Sequence, residues 1–167
     1  MTLKKYLKKR KFDNTPEPKG KPVNEKLISH EQKSKGKITL KKPIRLLSFV
    51  VHEHHATNLH FDLRLEMDGV LKSWAVPKSP PEAKGTKRLA IQVEDHPMEY
   101  ADFHGIIPEG NYGAGTVKIW DNGTYEMLKK YSDKFIIEFH GKKLKGKYCL
   151  VKTTFRNKRS WLFFKMK

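Results

Sequence analysis

The sequence predicts an all-β body with only minor helices, either an antiparallel sandwich or a small barrel, behind a basic N-terminal arm. From residue 44 onward, about eight or nine short apolar runs alternate with turn residues, a spacing typical of antiparallel β domains. That part of the chain has no convincing long helical period. The 167 residues of the whole chain amount to one domain, large enough to bury a core.

The arm, residues 1–42, differs in charge from the body, residues 43–167. The arm has 14 Lys or Arg residues against 4 Asp or Glu, whereas the body has 21 against 14. Apolar residues around Tyr6 can form one face of a short helix that ends near Arg10. The prolines after it exclude a helix there, because each biases its predecessor toward extended geometry. We therefore expect an arm that wraps the body or is partly disordered.

Within the body, alternating apolar residues and turn signals predict a series of strands. Asp-Gly at 68–69 is a strong hairpin signal, and Asp-Asn-Gly at 121–123 predicts a second turn. Residues 96–115, which are rich in glycine, are expected to be irregular. The expected strands are 46–51, 58–67, 70–76, 88–94, 116–120, 124–128, 135–139, 147–155 and 161–166.

The charge of the whole chain indicates a polyanionic partner. The net charge is +17 and the isoelectric point about 9.9, which fits nucleic acid better than an anionic membrane surface. No stretch approaches the roughly 20 apolar residues of a membrane-spanning helix, and the basic N-terminus lacks the apolar segment of a signal peptide. The single cysteine, Cys149, excludes a disulfide framework, so we expect a cytoplasmic protein.

The strand at 58–67 alternates strictly between apolar and polar residues. Because a strand turns successive side chains to opposite faces, His60, Asp62 and Arg64 share one face. His54 joins that face if residues 56–58 form a turn. Two imidazoles and a carboxylate suit Mn²⁺ or Zn²⁺ better than Mg²⁺, so these residues are a candidate metal site. The alternative is that they are surface residues or have local hydrogen-bond partners.

Arg64 is the first candidate for binding phosphate. A guanidinium group binds phosphate oxygens through a fork of N–H donors. The alternative is a salt bridge from Arg64 to Glu66 or Asp62. Lys78 and Arg88, at strand ends, could add positive charge, although spacing alone favours solvated side chains at both positions.

His96 and Tyr100 lie where the chain is expected to become irregular. His96 follows Glu94 and Asp95, which could orient its ring, and a histidine there could donate a proton to a leaving oxygen. Tyr100 could hydrogen-bond a phosphate or simply be packed. The glycine-rich segment 105–115 is neither a Walker loop nor a dinucleotide-binding fingerprint.

Several segments together resemble the 3′-phosphoesterase domain of bacterial DNA ligase D and its stand-alone relatives. The resemblance is densest between residues 50 and 125. The motifs that carry it are His54-x5-His60-x-Asp62-x-Arg64-Leu-Glu66, Leu-Lys-Ser-Trp-Ala-Val-Pro-Lys at 71–78, Glu-Asp-His-Pro at 94–97 with Tyr100, Ile-Pro-x-Gly-x-Tyr-Gly-Ala-Gly at 107–115, and the segment 6–18.

The resemblance implies an eight-stranded β-barrel and a Mn²⁺-dependent enzyme that processes DNA 3′ ends in repair by non-homologous end joining, with Zn²⁺ or Co²⁺ as alternative metals. It implies phosphodiester cleavage that removes a terminal ribonucleoside from a primer–template, followed by removal of the 3′-phosphate. A DNA ligase and polymerase are then expected to act in trans.

Family motifs also imply roles for individual residues. By position, they match metal ligands (His54, His60, Asp62), groups at the scissile phosphate (Arg64, His96, Tyr100), phosphate-binding positions (Arg10, Lys78, Arg88) and further polar residues important for activity (Glu17, Glu94). The sequence departs from the family at His52, where glutamine is common, and at Lys11, where an acidic residue is frequent. His52 and His55 could therefore compete for the metal or alter the balance between the diesterase and monoesterase activities.

Two other functions remain open at this stage. A non-catalytic basic β-barrel that binds nucleic acid would account for the charge, but it gives no reason for the histidine-rich face. A metallophosphatase acting on small molecules would account for the metal site but not for the basic arm.

Overall fold

A computed structural model of the chain describes residues 2–21 and 44–167. The expected boundary between arm and body, at residues 42 and 43, lies outside these residues. The elements are the helix α1 (Leu3–Lys8), a 3₁₀ helix (Met98–Asp102), and the strands β1 (Leu47–His55), β2 (Leu59–Met67), β3 (Val70–Val76), β4 (Lys87–His96), β5 (Gly105–Ile107), β6 (Gly115–Lys130), β7 (Lys134–Gly141), β8 (Lys145–Lys152) and β9 (Ser160–Lys165).

Eight of these strands form a closed antiparallel barrel. They pair in the order β1-β2-β3-β4-β9-β8-β7-β6, and β6 pairs with β1 to close the ring. The short strand β5 is added against the first residues of β6. Closure leaves no free edge on the barrel strands. The all-β prediction and the eight-stranded barrel are thus confirmed.

The barrel interior is an apolar core that contains many aromatic side chains. Strand β2 contributes Phe61, Leu63 and Leu65 to it, in contact with residues such as Trp74 and Phe139. Because side chains alternate along β2, the polar residues between these apolar ones lie on the outside of the barrel. The sequence pattern therefore fixes the register of β2, since a shift by one residue would put its charged side chains inside.

The described part of the arm, residues 2–21, packs against the outer face of the barrel. Helix α1 contacts β4, and Tyr6 is fully buried in a small cluster with Leu71 and Tyr100. The Tyr6 hydroxyl donates to the carbonyl oxygen of Pro18 at 2.6 Å, which joins the helix to the extended segment after it. The arm thereby covers part of a polar face that would otherwise be open to water.

The prediction of a turn at residues 121–123 is wrong, because β6 runs through these residues as one strand. Asn122 pairs with Val50 of β1, and the register shifts between Val51 and His52, so the segment forms an irregularity within the sheet. The Asp121 carboxylate instead accepts backbone N–H groups of residues 142–144 in the turn between β7 and β8. The segment 121–123, although its sequence is typical of turns, therefore lies within a strand and stabilises the turn between β7 and β8 through Asp121.

Other local predictions have mixed outcomes. The turn at 68–69 is confirmed, since Asp68 and Gly69 have φ of 53° and 78°, as a two-residue hairpin requires. Strand β8 ends at Lys152, so the strand predicted to 155 is too long. The segment 96–115, expected to be irregular, contains two short regular elements, the 3₁₀ helix and β5. Within residues 2–21 and 44–167, no helix has the length and apolar character needed to cross a membrane.

Candidate metal and phosphate site

A cavity of about 290 Å³ opens on the outer face of the barrel. Strands β1 to β4 contribute its floor, and the arm and the loop after β5 contribute its walls. Nine of the eleven residues proposed from the sequence line this cavity: Arg10, Glu17, His54, His60, Asp62, Arg64, Glu94, His96 and Tyr100. Residues of the arm and of the first four strands therefore meet at one place.

Three of these side chains form a group suited to a metal ion. His54 and His60 are directly opposite each other on β1 and β2, so residues 56–58 do form the turn that the site requires. His54 Nδ1 and His60 Nε2 each lie 3.6 Å from Asp62 Oδ2, and one ligand atom from each residue lies within 4.8 Å of the others. Two nitrogens and one carboxylate oxygen leave room for further ligands.

Backbone carbonyl groups fix the protonation of both imidazole rings. His54 Nε2 lies 2.7 Å from the carbonyl oxygen of Gly113, and His60 Nδ1 lies 3.0 Å from that of Asn58. A carbonyl oxygen only accepts, so each of these nitrogens must carry the proton. The other nitrogen of each ring then presents its lone pair toward Asp62, as in metal-binding histidines whose second nitrogen donates to a backbone oxygen. The three residues fit a divalent metal ion.

Asp62 is ionised despite its burial. Burial opposes the charged form, but the Arg64 guanidinium, whose Nη2 is 3.3 Å from Asp62 Oδ2, holds the pKa of Asp62 well below its usual range. The same carboxylate raises the pKa of His60, against the opposing effect of burial. Metal binding must therefore displace a proton from His60 when the pH is low enough to charge it.

Arg64 is held on three sides and is only 3% exposed. Its Nε donates to His52 Nδ1 at 3.2 Å, its Nη1 donates to Ser73 Oγ at 3.0 Å, and its Nη2 contacts Asp62. The ring of Tyr100 lies 4.7 Å from the guanidinium carbon. Of the two alternatives raised by the sequence, the contact with Asp62 is present, whereas Glu66 accepts the backbone N–H of Ser48.

A buried network links the arm to the end of β4. Arg10 Nε donates to Glu17 Oε1 at 2.9 Å, its Nη1 lies 3.3 Å from Glu94 Oε1, and its Nη2 lies 3.3 Å from His96 Nε2. The Tyr100 hydroxyl also donates to Glu17 Oε1, at 2.9 Å. The two carboxylates thus hold Arg10 beside the cavity.

His96 is neutral in this arrangement. Its Nδ1 donates to the backbone carbonyl oxygen of Glu94 at 2.9 Å, so its Nε2 has the lone pair and accepts from Arg10. Burial, together with Arg64 and Arg10, lowers the pKa of His96 well below its ordinary value. Its Nε2 lone pair is therefore an acceptor at the edge of the cavity and is occupied by Arg10 in this arrangement.

Comparison with known families identifies what kind of domain has this site. The sequence model of the family described as the DNA Ligase D 3′-phosphoesterase domain matches residues 52–152, more than half of the chain. The chain belongs to this family. The resemblance inferred from the motifs is confirmed.

Relatives of this phosphoesterase-family domain are much longer proteins. The chain is 43% identical over 173 residues to the multifunctional non-homologous end joining protein LigD of Pseudomonas aeruginosa. It is 49% identical over 124 residues to the LigD protein of Mycobacterium bovis. These matches cover 99% and 72% of the chain. The chain spans only 18% and 16% of the length of these two relatives.

Two proposed phosphate-binding residues of this domain lie outside the cavity. Lys78 is exposed in the connection between β3 and β4, and Arg88 Nε donates to the carbonyl oxygen of Ser79 at 2.8 Å in the same connection. This connection begins at Val76, which pairs with Phe61 beside His60. Both cations are therefore near the metal-ligand end of β2 without lining the cavity.

Several residues that support the site were not found from the sequence. Ser73 and Gly113 hydrogen-bond Arg64 and His54 from other segments, and Lys9 Nζ bonds Glu94 Oε2 at 3.0 Å and the Tyr112 hydroxyl at 3.2 Å. These contacts depend on strand register and loop path. All four residues lie within segments that carry the resemblance to the family, but no local pattern in those segments indicated their contacts.

His52 and His55 are not part of the group of converging ligand atoms formed by His54, His60 and Asp62. His52 is fully buried, its Nε2 donates to the carbonyl oxygen of Phe103 at 2.9 Å, and its Nδ1 accepts from Arg64. Both ring nitrogens are therefore engaged. His55 is largely exposed and its Nε2 contacts the Glu53 carboxylate. The histidine at position 52 orients the arginine.

Acid should destabilise the metal-free domain through His52. Burial first, then the charge of Arg64, lowers the pKa of His52 to about 3, whereas an unfolded histidine titrates near 6.5. Between these values the unfolded chain binds a proton that the folded one does not, so stability falls as the pH falls. We expect H52Q to reduce the pH dependence of the unfolding free energy by about 1 kcal/mol per pH unit below pH 6. Urea denaturation in EDTA at pH 5 to 7 measures the unfolding free energy of both proteins. Equal slopes of that free energy against pH would contradict the prediction.

Proposed function

We propose that this domain is a Mn²⁺-dependent phosphoesterase that processes DNA 3′ ends in repair by end joining. It would act as a 3′-ribonucleoside phosphodiesterase and as a 3′-phosphatase. The observation that carries the proposal is the convergence of two imidazole lone pairs and an ionised carboxylate beside the buried guanidinium of Arg64. The names of the family and of its end-joining relatives support it.

His54, His60 and Asp62 would hold the metal ion. Their nitrogen and oxygen donors suit Mn²⁺, with Zn²⁺ or Co²⁺ as alternatives. When bound, the ion supplies Lewis-acid stabilisation of phosphate charge and an activated water. The residues themselves contribute the fixed tautomers and the ionised carboxylate, both present before the ion binds.

The charges around the cavity suggest why a metal is needed for phosphate binding. The cations Lys9, Arg10 and Arg64 are matched by three carboxylates, each in contact with at least one of them: Asp62, Glu17 and Glu94. With His52 and His96 neutral, this group of side chains has little net charge. A divalent ion would make the cavity positive and so favour a phosphate.

Arg64 would stabilise the charge that develops on the phosphoryl oxygens. A guanidinium group has five N–H donors, and in the described residues three of those of Arg64 have partners. One N–H on each terminal nitrogen remains for a phosphate oxygen. Because the bound partners fix the plane of the group, little reorganisation is needed in the transition state.

His96 would act at the departing or attacking oxygen. Removal of the terminal nucleoside breaks the bond between phosphorus and its 5′ oxygen, with water adding to phosphorus and the departing oxygen gaining a proton. His96 Nε2, which accepts from Arg10 in this structure, would exchange that contact for the attacking water, take a proton from it and deliver a proton to the departing oxygen. Tyr100, Glu94 and Glu17 would position Arg64 and Arg10.

The substrate would be DNA with a 3′-terminal ribonucleotide or a 3′-phosphate, such as a primer–template. The net charge of +17 favours such a polyanion. Lys78 and Arg88, outside the cavity but near the metal-ligand end of β2, would contact backbone phosphates. A DNA ligase and a polymerase would use the resulting 3′-hydroxyl.

The deciding experiment is incubation of a primer–template ending in one ribonucleotide with the purified protein and Mn²⁺. We expect a 3′-phosphate product, then a 3′-hydroxyl product, and no products with EDTA or with H60A. Absence of products from the unaltered protein would contradict the proposal. DNA binding that is independent of metal and unaffected by H60A would, in that case, favour a non-catalytic nucleic-acid-binding barrel.

A further inference from the structure

The loop 108–114, between β5 and β6, contacts both the arm and the metal ligand His54. Within the loop, the Asn111 N–H donates to the carbonyl oxygen of Pro108 at 3.3 Å, and the Ala114 N–H donates to that of Asn111 at 3.2 Å. The loop belongs to neither strand, so it has no sheet pairing to hold it. Its position therefore depends on the contacts that it makes with other segments.

The arm holds this loop at two points. Asn111 Nδ2 donates to the carbonyl oxygen of Asn14 at 3.2 Å, and Lys9 Nζ donates to the Tyr112 hydroxyl at 3.2 Å. Lys9 Nζ also lies 4.5 Å from the centre of the Tyr112 ring, a favourable contact between a cation and an aromatic face. In the part of the chain that the structure describes, the loop's hydrogen bonds to other segments go only to Lys9, Asn14 and His54.

Gly113 makes the contact between the loop and the metal ligand. Its carbonyl oxygen accepts from His54 Nε2 at 2.7 Å, which fixes the tautomer in which Nδ1 has the lone pair. Gly113 has a φ of 75°, a backbone conformation that favours glycine. Because Gly113 directly follows Tyr112, a displacement of the loop at Tyr112 would also move this carbonyl oxygen.

The other metal-binding histidine is fixed by a different segment. His60 Nδ1 donates at 3.0 Å to the carbonyl oxygen of Asn58, which lies in the turn between β1 and β2. The loop 108–114 makes no hydrogen bond to His60 among the residues that the structure describes. Loss of the arm contacts would therefore reach the ring of His54 and leave that of His60 in place.

We propose that Lys9, Asn111 and Tyr112 are positioning residues for His54, so that docking of the arm sets the affinity of the site for its metal ion. This inference rests on the metal site of the proposed function, but it concerns binding of the ion rather than cleavage of DNA. Loss of a partner behind a metal ligand typically lowers metal affinity by roughly 10–100-fold. The arm contacts lie one step further from the ion, so their combined loss is expected at the lower end of that range.

The first test is titration of the protein with Mn²⁺ in the absence of DNA. The variant K9M/N111A removes both arm contacts while keeping an unbranched side chain at position 9. K8M/N122A is the matched control, since Lys8 is exposed on the same helix and Asn122 is exposed on β6. We expect K9M/N111A to weaken Mn²⁺ binding roughly 10-fold by isothermal titration, and the control to keep the affinity of the unaltered protein.

Two single variants separate the loop contacts from the contact between Lys9 and Glu94. N111A leaves that ion pair intact and should still weaken Mn²⁺ binding, by less than the double variant. K9R keeps both the positive charge and the N–H donors, so it should keep the affinity of the unaltered protein. Unaltered binding in N111A would show that the loop does not transmit the effect.

The second test reads the tautomer of each histidine in metal-free protein by nitrogen-15 NMR of the imidazole rings. At about pH 8, where an ordinary histidine is neutral, we expect His54 of the unaltered protein to be protonated at Nε2 alone. In K9M/N111A both tautomers of His54 should be populated, whereas His60 should remain protonated at Nδ1. General destabilisation of the fold would not single out one ring.

Three results would overturn the inference. These are an unchanged Mn²⁺ affinity in K9M/N111A, an unchanged His54 tautomer in that variant, and equal changes at His54 and His60. If the unaltered protein binds no Mn²⁺, the proposed function itself fails, whereas an altered His54 tautomer would still show that the arm positions this ring.

Discussion

Replacing Asp62 with asparagine or alanine is expected to remove tight Mn²⁺ binding and to lower both 3′-end activities by roughly 10³-fold, because the loss of Lewis-acid stabilisation costs several kcal/mol. Asp62 supplies the one anionic donor of the His54–His60–Asp62 group and is ionised through its contact with Arg64. Asparagine keeps an oxygen acceptor for Arg64 but removes the charge. Isothermal titration with Mn²⁺ and steady-state assays on both DNA ends measure the two losses.

The pair of variants separates loss of metal from loss of fold. Alanine leaves the Arg64 guanidinium buried without its carboxylate, which can destabilise a protein by about 3–5 kcal/mol, so D62A is compared with D62N by thermal denaturation. The exposed Asp133 provides the matched control, and D133N should retain binding and rate. Mn²⁺ affinity in D62N close to that of the unaltered protein would exclude Asp62 as a ligand.

The barrel itself could largely be predicted from local patterns. Alternation in β2 gave the buried and polar faces, and the Asp-Gly turn gave its pairing with β3. Closure depends on β6 pairing with β1 and β7, contacts between residues far apart in the chain. The same pairing overrode the turn signal at 121–123, since a strand paired on both sides cannot turn back on itself. The pairing of β6 with its two neighbouring strands therefore outweighed the local turn propensity of residues 121–123.

The candidate site was predictable to the extent that its residues share a strand. The two-residue period of a strand predicted that His60, Asp62 and Arg64 share a face. The position of His54 beside them could be predicted only by assuming a turn between β1 and β2. The contribution of Arg10 depends on how residues 2–21 pack on β4, and no local pattern determines that. Arg10 could be predicted as a site residue only because its segment resembles a family motif.

Position 52 illustrates how a single substitution can keep an interaction. The sequence made His52 a candidate competitor for the metal, but its side chain hydrogen-bonds the Phe103 carbonyl and Arg64. Neutral histidine offers one donor and one acceptor in a fixed geometry, and glutamine offers the same functions. The departure from the family pattern is therefore compatible with the same task, that of holding the arginine.

Replacing Arg64 with alanine is expected to lower the turnover rate of both reactions by roughly 10²–10³-fold, the cost of removing one preorganised donor to a developing oxyanion. Mn²⁺ affinity should change much less, because the three ligand atoms are on other residues. This split between turnover and metal binding distinguishes Arg64 from Asp62. Lysine restores the charge but not the fork, and one ammonium group cannot contact His52, Ser73 and a phosphate together, so R64K should recover little of the rate.

The matched control is Arg45, an exposed arginine whose Nη2 lies 3.7 Å from Glu66, in contrast to the buried and fully oriented Arg64. R45A removes the same charge from the protein and should leave both rates unchanged, which separates a local effect from a general loss of attraction for DNA. Measurements at two salt concentrations strengthen the comparison, since general attraction depends on salt and oxyanion stabilisation in a buried site much less. An R64A turnover rate near that of the unaltered protein would contradict the role of Arg64.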